Sequence, residues 1–67
     1  MDARTGTVTQ FDEARGLGTV TSDTGSRWPF HCVSLADGSR TVEPGARVRF
    51  SIAFRVRRLE AVGIEKL

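Results

Sequence analysis

One cysteine, Cys32, one histidine, His31, and no long apolar run set the first limits on this 67-residue chain. A lone cysteine excludes an intrachain disulfide and argues against a secretory setting, so a reducing cytoplasm is the expected location. His31 and Cys32 are neighbours, and in a strand they point to opposite faces, which leaves no zinc site within a monomer. Nothing approaches the roughly 20 consecutive apolar residues of a membrane-spanning helix. Met1-Asp2-Ala3-Arg4 also lacks the hydrophobic stretch of a signal peptide, so a soluble, unprocessed protein with no membrane partner is expected. Catalysis finds little support: Ser34, His31 and Asp37 crowd into one short stretch, with no second histidine and no paired-carboxylate pocket. Gly16-Leu17-Gly18 lacks the third glycine and the following helix of a dinucleotide site. The expectation is a protein that is not an enzyme and holds no cofactor or metal.

What is present is a small domain, residues 1–67, of modest stability, because a chain this short buries only about 60% of the surface it exposes when unfolded. Its formal charge of +2 is unevenly spread. Residues 1–46 sum to −2, whereas residues 47–58 hold Arg47, Arg49, Arg55, Arg57 and Arg58 with no acid and sum to +5. An all-arginine block therefore stands in an otherwise balanced chain.

No window of helical length carries a sustained 3.6-residue apolar stripe, and short alternating runs between glycine-rich turns predict five strands. They cover about Thr5–Phe11, Gly18–Ser22, Arg27–Cys32, Arg47–Phe54 and Leu59–Ile64. Val8 points inward in the first. Asp23-Thr24-Gly25-Ser26 forms a hairpin loop in which Gly25 takes a positive φ. In the third strand Trp28, Phe30 and Cys32 share one parity, and Pro29, which cannot donate to a ladder, marks a free edge. Ser34–Gly38 reads as one helical turn, Glu43-Pro44-Gly45 as a tight turn, and Leu35 and Val42 as anchors of this long connection to the core. The fourth strand alternates without error, so Val48, Phe50, Ile52 and Phe54 share one face and the arginines the other. Five short strands with a long third connection fit an all-β, five-stranded Greek-key antiparallel barrel, whose closure removes free edges.

Gly6-Thr7-Val8-Thr9-Gln10-Phe11-Asp12 stands against a family opening G-x-V-K-W-F-N, and Arg15-Gly16-Leu17-Gly18-Thr19-Val20 against K-G-F-G-F-I. Trp28-Pro29-Phe30-His31-Cys32 stands against V-F-V-H-F, Glu43 to Phe50 against E-x-G-x-x-V-x-F, and Ala61-Val62-Gly63-Ile64 against A-x-x-V. In order and spacing the chain resembles the cold-shock domain family of OB-fold barrels from Thr5 to about Lys66.

The resemblance implies binding of single-stranded RNA or DNA by aromatic faces on the first three strands, where each stacked base is worth about 1–3 kcal/mol. Here Gln10 stands for the tryptophan, Leu17 and Thr19 for the first motif's phenylalanines, and Pro29 and Cys32 for the second's. His31 keeps a ring and Arg15 keeps a cation, whose guanidinium plane can stack on a base or fork to a phosphate. Arg15, His31, Arg40 and Arg58 are thus the expected phosphate and stacking contacts, with Thr9, Gln10 and Leu17 as the floor and Thr19 beside them. Binding is expected to be weak and of little sequence preference. Arg55, Arg57 and Arg58 read either as phosphate contacts or as a solvated loop, and Arg47 and Arg49 as edge charges that block sheet association. Trp28 reads either as barrel interior or, if Pro29 bulges the strand, as a surface ring. The alternative function is a protein-contact or weak homodimer face built from Leu17, Val33, Pro29 and an exposed Trp28.

Overall fold

Alternating sequence becomes five antiparallel strands, β1 (Arg4–Asp12), β2 (Leu17–Ser22), β3 (Arg27–His31), β4 (Arg47–Arg55) and β5 (Arg58–Lys66), in a computed structural model that describes residues 3–55 and 58–67. Every strand end lies within two residues of its sequence expectation. They form one sheet in the order β3-β2-β1-β4-β5, so β1 to β3 run as a meander and β4 returns to the free side of β1. β3 packs against β5, and Leu35 bridges to Ile64 with the Ala36 amide donating to the Ile64 carbonyl at 2.7 Å. The result is the closed Greek-key barrel that the strand pattern predicted.

The inward parity of every strand meets in one core. Val8, Val20, Phe30, Val48, Phe50 and Ile64 are its largest fully buried side chains, and Leu35 and Val42 anchor the long β3–β4 connection to it. Phe30 stacks on the half-buried Phe11 with ring centroids 5.9 Å apart. Phe54 shares the face of Val48, Phe50 and Ile52 as alternation predicts, yet is 67% exposed, because among the described residues the β1–β4 pairing stops at Phe50. Two expectations need correction. The helical turn sits earlier than predicted, as a single 3-10 turn at Cys32–Ser34 directly after β3. β4 is also no edge strand, since β1 and β5 flank it, so Arg47 and Arg49 do not guard an edge.

Those two arginines instead bind acids far away in sequence. Arg47 forks onto Asp23 with Nη1 to Oδ1 at 2.7 Å and Nη2 to Oδ2 at 3.0 Å, and Arg49 reaches Glu65 at 2.9 Å. Asp23 also accepts the Thr5 hydroxyl at 2.6 Å, so this carboxylate ties the β2–β3 hairpin to β1 and β4. At the opposite seam, Asp37 accepts the Ser39 amide and hydroxyl, and Lys66 Nζ lies 3.2 Å away.

Hydrogen bonds from Arg47 and Thr5 hold the Asp23 carboxyl well below the usual carboxylate range, and those from Ser39 and Lys66 lower Asp37 to about 2. A carboxyl whose folded pKa is depressed stabilises the fold above its unfolded value, about 3.9, and loses that contribution as pH falls toward the folded value. Denaturant midpoints are therefore expected to be flat above about pH 5 and to fall from about pH 4 through pH 2. Asp23→Asn should flatten that decline, and added salt should shrink it, because both carboxylates are exposed. A decline identical in the variant would refute the assignment.

Candidate nucleic-acid interface

Strict alternation along β1 would send Thr9 outward and Gln10 into the core. The structure breaks it. Val8 pairs with Val20, but Gln10 pairs with Thr19, so β1 carries one extra residue at Thr9. This bulge leaves both side chains exposed, and Thr9 Oγ1 lies 3.1 Å from Thr21 Oγ1 and 3.3 Å from the Thr19 carbonyl, which it can reach as donor. It also returns Phe11 to the inward parity, where it meets Phe30. The bulge thus builds the floor and the core with one added residue.

Directly opposed residues in antiparallel strands share a face. Gln10 opposite Thr19, Thr19 opposite Pro29, Asp12 opposite Leu17 and Leu17 opposite His31 therefore all project from the outer face of β1 to β3. Arg15 reaches this face from the β1–β2 turn. There Asp12 Oδ1 accepts the Ala14 and Arg15 amides at 3.1 and 3.3 Å, and the Gly16 amide donates to the Asp12 carbonyl at 2.8 Å. Gly16 closes the turn at φ +67°, and a Cβ there would lie 2.8 Å from Cys32 Sγ. The backbone turn, rather than the long side chain, fixes where the cation starts.

Two open hollows lie side by side on the face and share Gln10 and Thr19. One is lined by Arg15, Leu17, Gly18 and the Phe11–Asp12 end of β1. The other is lined by Thr9, Thr21, Arg27, Trp28, Pro29 and Arg58, so β5 contributes its first residue to a surface otherwise made by β1 to β3. Of the eight residues expected from sequence, Thr9, Gln10, Arg15, Leu17, Thr19 and Arg58 line this continuous surface. His31 is exposed beside Leu17. Arg40 is not with them: it lines a separate hollow with Cys32, Val33 and Leu35.

Cations dominate the face, and their partners are loose. Arg15 Nε stands 3.8 Å from Asp12 and Arg58 Nε 3.6 Å from Glu60, distances that leave both guanidinium forks largely unspent. Arg27, which the sequence reading left out, lines the same hollow as Arg58. Its signal was available, since it shares parity with Pro29 and His31 at the start of β3. Arg57 lies outside the described residues.

Trp28 resolves between its two readings. β3 pairs with β2 in unbroken register from Arg27 to His31, so Pro29 makes no bulge and Trp28 keeps the inward parity of Phe30. The indole is half-buried, packed against the core, with the Arg4 guanidinium 5.7 Å from its ring centroid. Its Nε1 is buried without a hydrogen-bond partner among the described residues, while part of the residue lines the hollow. It is neither a full core residue nor a free surface ring.

Comparison with known proteins agrees with this geometry. The model of the 'Cold-shock' DNA-binding domain matches residues 4–67. The chain is 34% identical over 65 residues to the cold shock-like protein CspA of Stigmatella aurantiaca (strain DW4/3-1), an alignment covering 94% of this chain and 96% of that protein.

Proposed function

The chain belongs to the cold-shock domain family, a family of nucleic-acid-binding proteins, and we propose that it binds single-stranded RNA or DNA in the cytoplasm, weakly and with little sequence preference. The supporting observation is the continuous outer face of β1 to β3, open along its length and bordered by Arg15, Arg27 and Arg58. Guanidinium groups at that spacing attract a phosphate backbone without reading bases. Between them lie Thr9, Gln10, Leu17 and Thr19, which offer hydrogen bonds and apolar contact but no flat ring. Affinity then rests on charge, with His31 as an exposed ring beside Leu17 and Arg15 as a stacking plane.

The self-association reading includes an exposed Trp28, whereas the indole lies half-buried with Arg4 over its ring. Titration with a fluorescent pyrimidine-rich single strand tests the proposal. The logarithm of the binding constant should fall linearly with the logarithm of salt concentration, with a slope of about −2 for three phosphate-contacting arginines. Amide shifts on adding the strand should cluster on Thr9, Arg15, Thr19 and His31. Undetectable binding at low ionic strength, or a concentration-dependent dimer indifferent to oligonucleotide, would overturn it.

A further inference from the structure

β1 faces β4 only as far as Arg4 opposite Phe50, so beyond that point β4 pairs with β5 alone among the described residues. Ser51–Arg55 with Arg58–Val62 is a two-stranded ribbon that overhangs the barrel. Along its inward parity Ile52 still packs against the core, whereas Phe54 is 67% exposed and its partner across the ribbon, Leu59, is 46% exposed. Phe54 is the one strongly exposed phenylalanine or tryptophan among the described residues; Phe30 and Phe50 are buried and Phe11 and Trp28 half-buried. An exposed ring on a paired ribbon is a flat apolar surface open to another flat group.

Charge selects what that group belongs to. On the ribbon's other parity Arg55 lies directly opposite Arg58, a like-charge juxtaposition that Glu60, 3.6 Å from Arg58, offsets only in part and that an added anion would relieve. Arg57 falls between them in sequence. Two copies of this tip would bring their arginines together, which argues against a second chain as occupant. A ligand that combines repeated negative charge with flat apolar faces meets both needs. Arg58 also lines the hollow over β1 to β3, so the ribbon continues directly from that surface.

We propose that Phe54 is a base-stacking platform for a nucleotide at the end of a strand that leaves the β1–β3 face and turns round the tip of the β4–β5 ribbon, with Leu59 supporting the ring and Arg55, on the ribbon's other parity, drawing the phosphate backbone to that tip. This rests on the single-strand-binding reading above and extends it: the bound strand is longer than the barrel face, and one of its bases meets a true aromatic ring.

Anisotropy titrations of the full chain with single strands of about four and about eight nucleotides, a range that OB-fold site sizes span, test this. Phe54→Ala is expected to weaken the longer strand roughly tenfold, the usual loss for one stacked base, and to change the shorter by less than about twofold. Phe54→Leu should lose as much, because apolarity without a flat face does not stack, while Phe54→Trp should bind at least as well as the original. Thermal melts matching the original confirm that an exposed substitution has left the fold intact. Equal affinity of Phe54→Ala and the original for the longer strand overturns the proposal and leaves the parent reading standing. Absence of binding to either strand by the unaltered chain overturns both. A dimer in sedimentation that Phe54→Ala abolishes overturns the proposal in favour of a second copy at this tip.

Discussion

Gly6→Ala is expected to destabilise the fold by about 3 kcal/mol or more, a large share of what holds it together. Gly6 sits in β1 between Ser22 of β2 and Val48 of β4, and the two neighbouring ladders bring backbone against its Cα from the β2 side. A Cβ at this position would overlap the Thr21 carbonyl oxygen and approach Ser22 Cα to 2.9 Å and the Thr21 carbonyl carbon to 3.0 Å. All three are main-chain atoms, so no rotamer change clears them; the sheet itself must part. Overpacking a core usually costs about 1–3 kcal/mol, occasionally more, and a clash that only backbone movement relieves belongs at or above the top of that range. At roughly 0.05–0.15 kcal/mol per residue, a domain of this size has only about 3–10 kcal/mol to lose. A fall of about 12–24 °C or more in the thermal midpoint by circular dichroism is the expected result, with Gly25→Ala as the contrast. Gly25 also has a special backbone, φ +94°, but its missing Cβ points into open space, so only the dihedral strain is felt, about 1 kcal/mol. A Gly6→Ala melt within a few degrees of the original would contradict the packing described for β1.

The strands were legible because alternation is a local property, and a local property survives in sequence. Val48 and Phe50 could be assigned inward from their own neighbours, and so could Val8 and Phe30. The bulge at Thr9 could not, because an extra residue is defined by the register of β1 against β2, nine to twelve positions away. Without it, parity sends Gln10 into the core; only the resemblance to a family with an exposed residue there placed Gln10 on the face. The exposure of Phe54 was hidden for a related reason: its parity is inward as expected, but burial requires an opposing surface, and among the described residues β1 pairs with β4 no farther than Phe50. The arginine block was visible as composition, yet its division was not. Arg47 and Arg49 are spent on Asp23 and Glu65, 24 and 16 residues distant, whereas Arg58 lines the face. Deciding which charges remain available for a ligand therefore required the fold.

Restoring rings should strengthen binding more than any single substitution weakens it. Leu17 and Thr19 occupy alternate positions of β2 on the outer face, opposite His31 and Pro29 on one side and Asp12 and Gln10 on the other. Both line open hollows, so a phenylalanine at either has space to lie across the face without entering the core. Phenylalanine also suits a half-exposed strand position, and stability should change by no more than about 0.5 kcal/mol. At about 1–3 kcal/mol per stacked base, the double variant Leu17→Phe with Thr19→Phe gains at least about 2 kcal/mol, and a gain of roughly a hundredfold in affinity for a single strand is the central expectation. Salt dependence separates this from a trivial increase in stickiness. Rings release no counterions, so the slope of log affinity against log salt should stay where Arg15, Arg27 and Arg58 set it while the whole line moves up. A parallel upward shift means that the face carries a nucleic-acid strand in register with its three strands, and that its present weakness lies in the side chains alone. No gain in affinity, with the fold intact, would mean that the bases do not pass over β2, and the strand would then have to be sought elsewhere on the barrel.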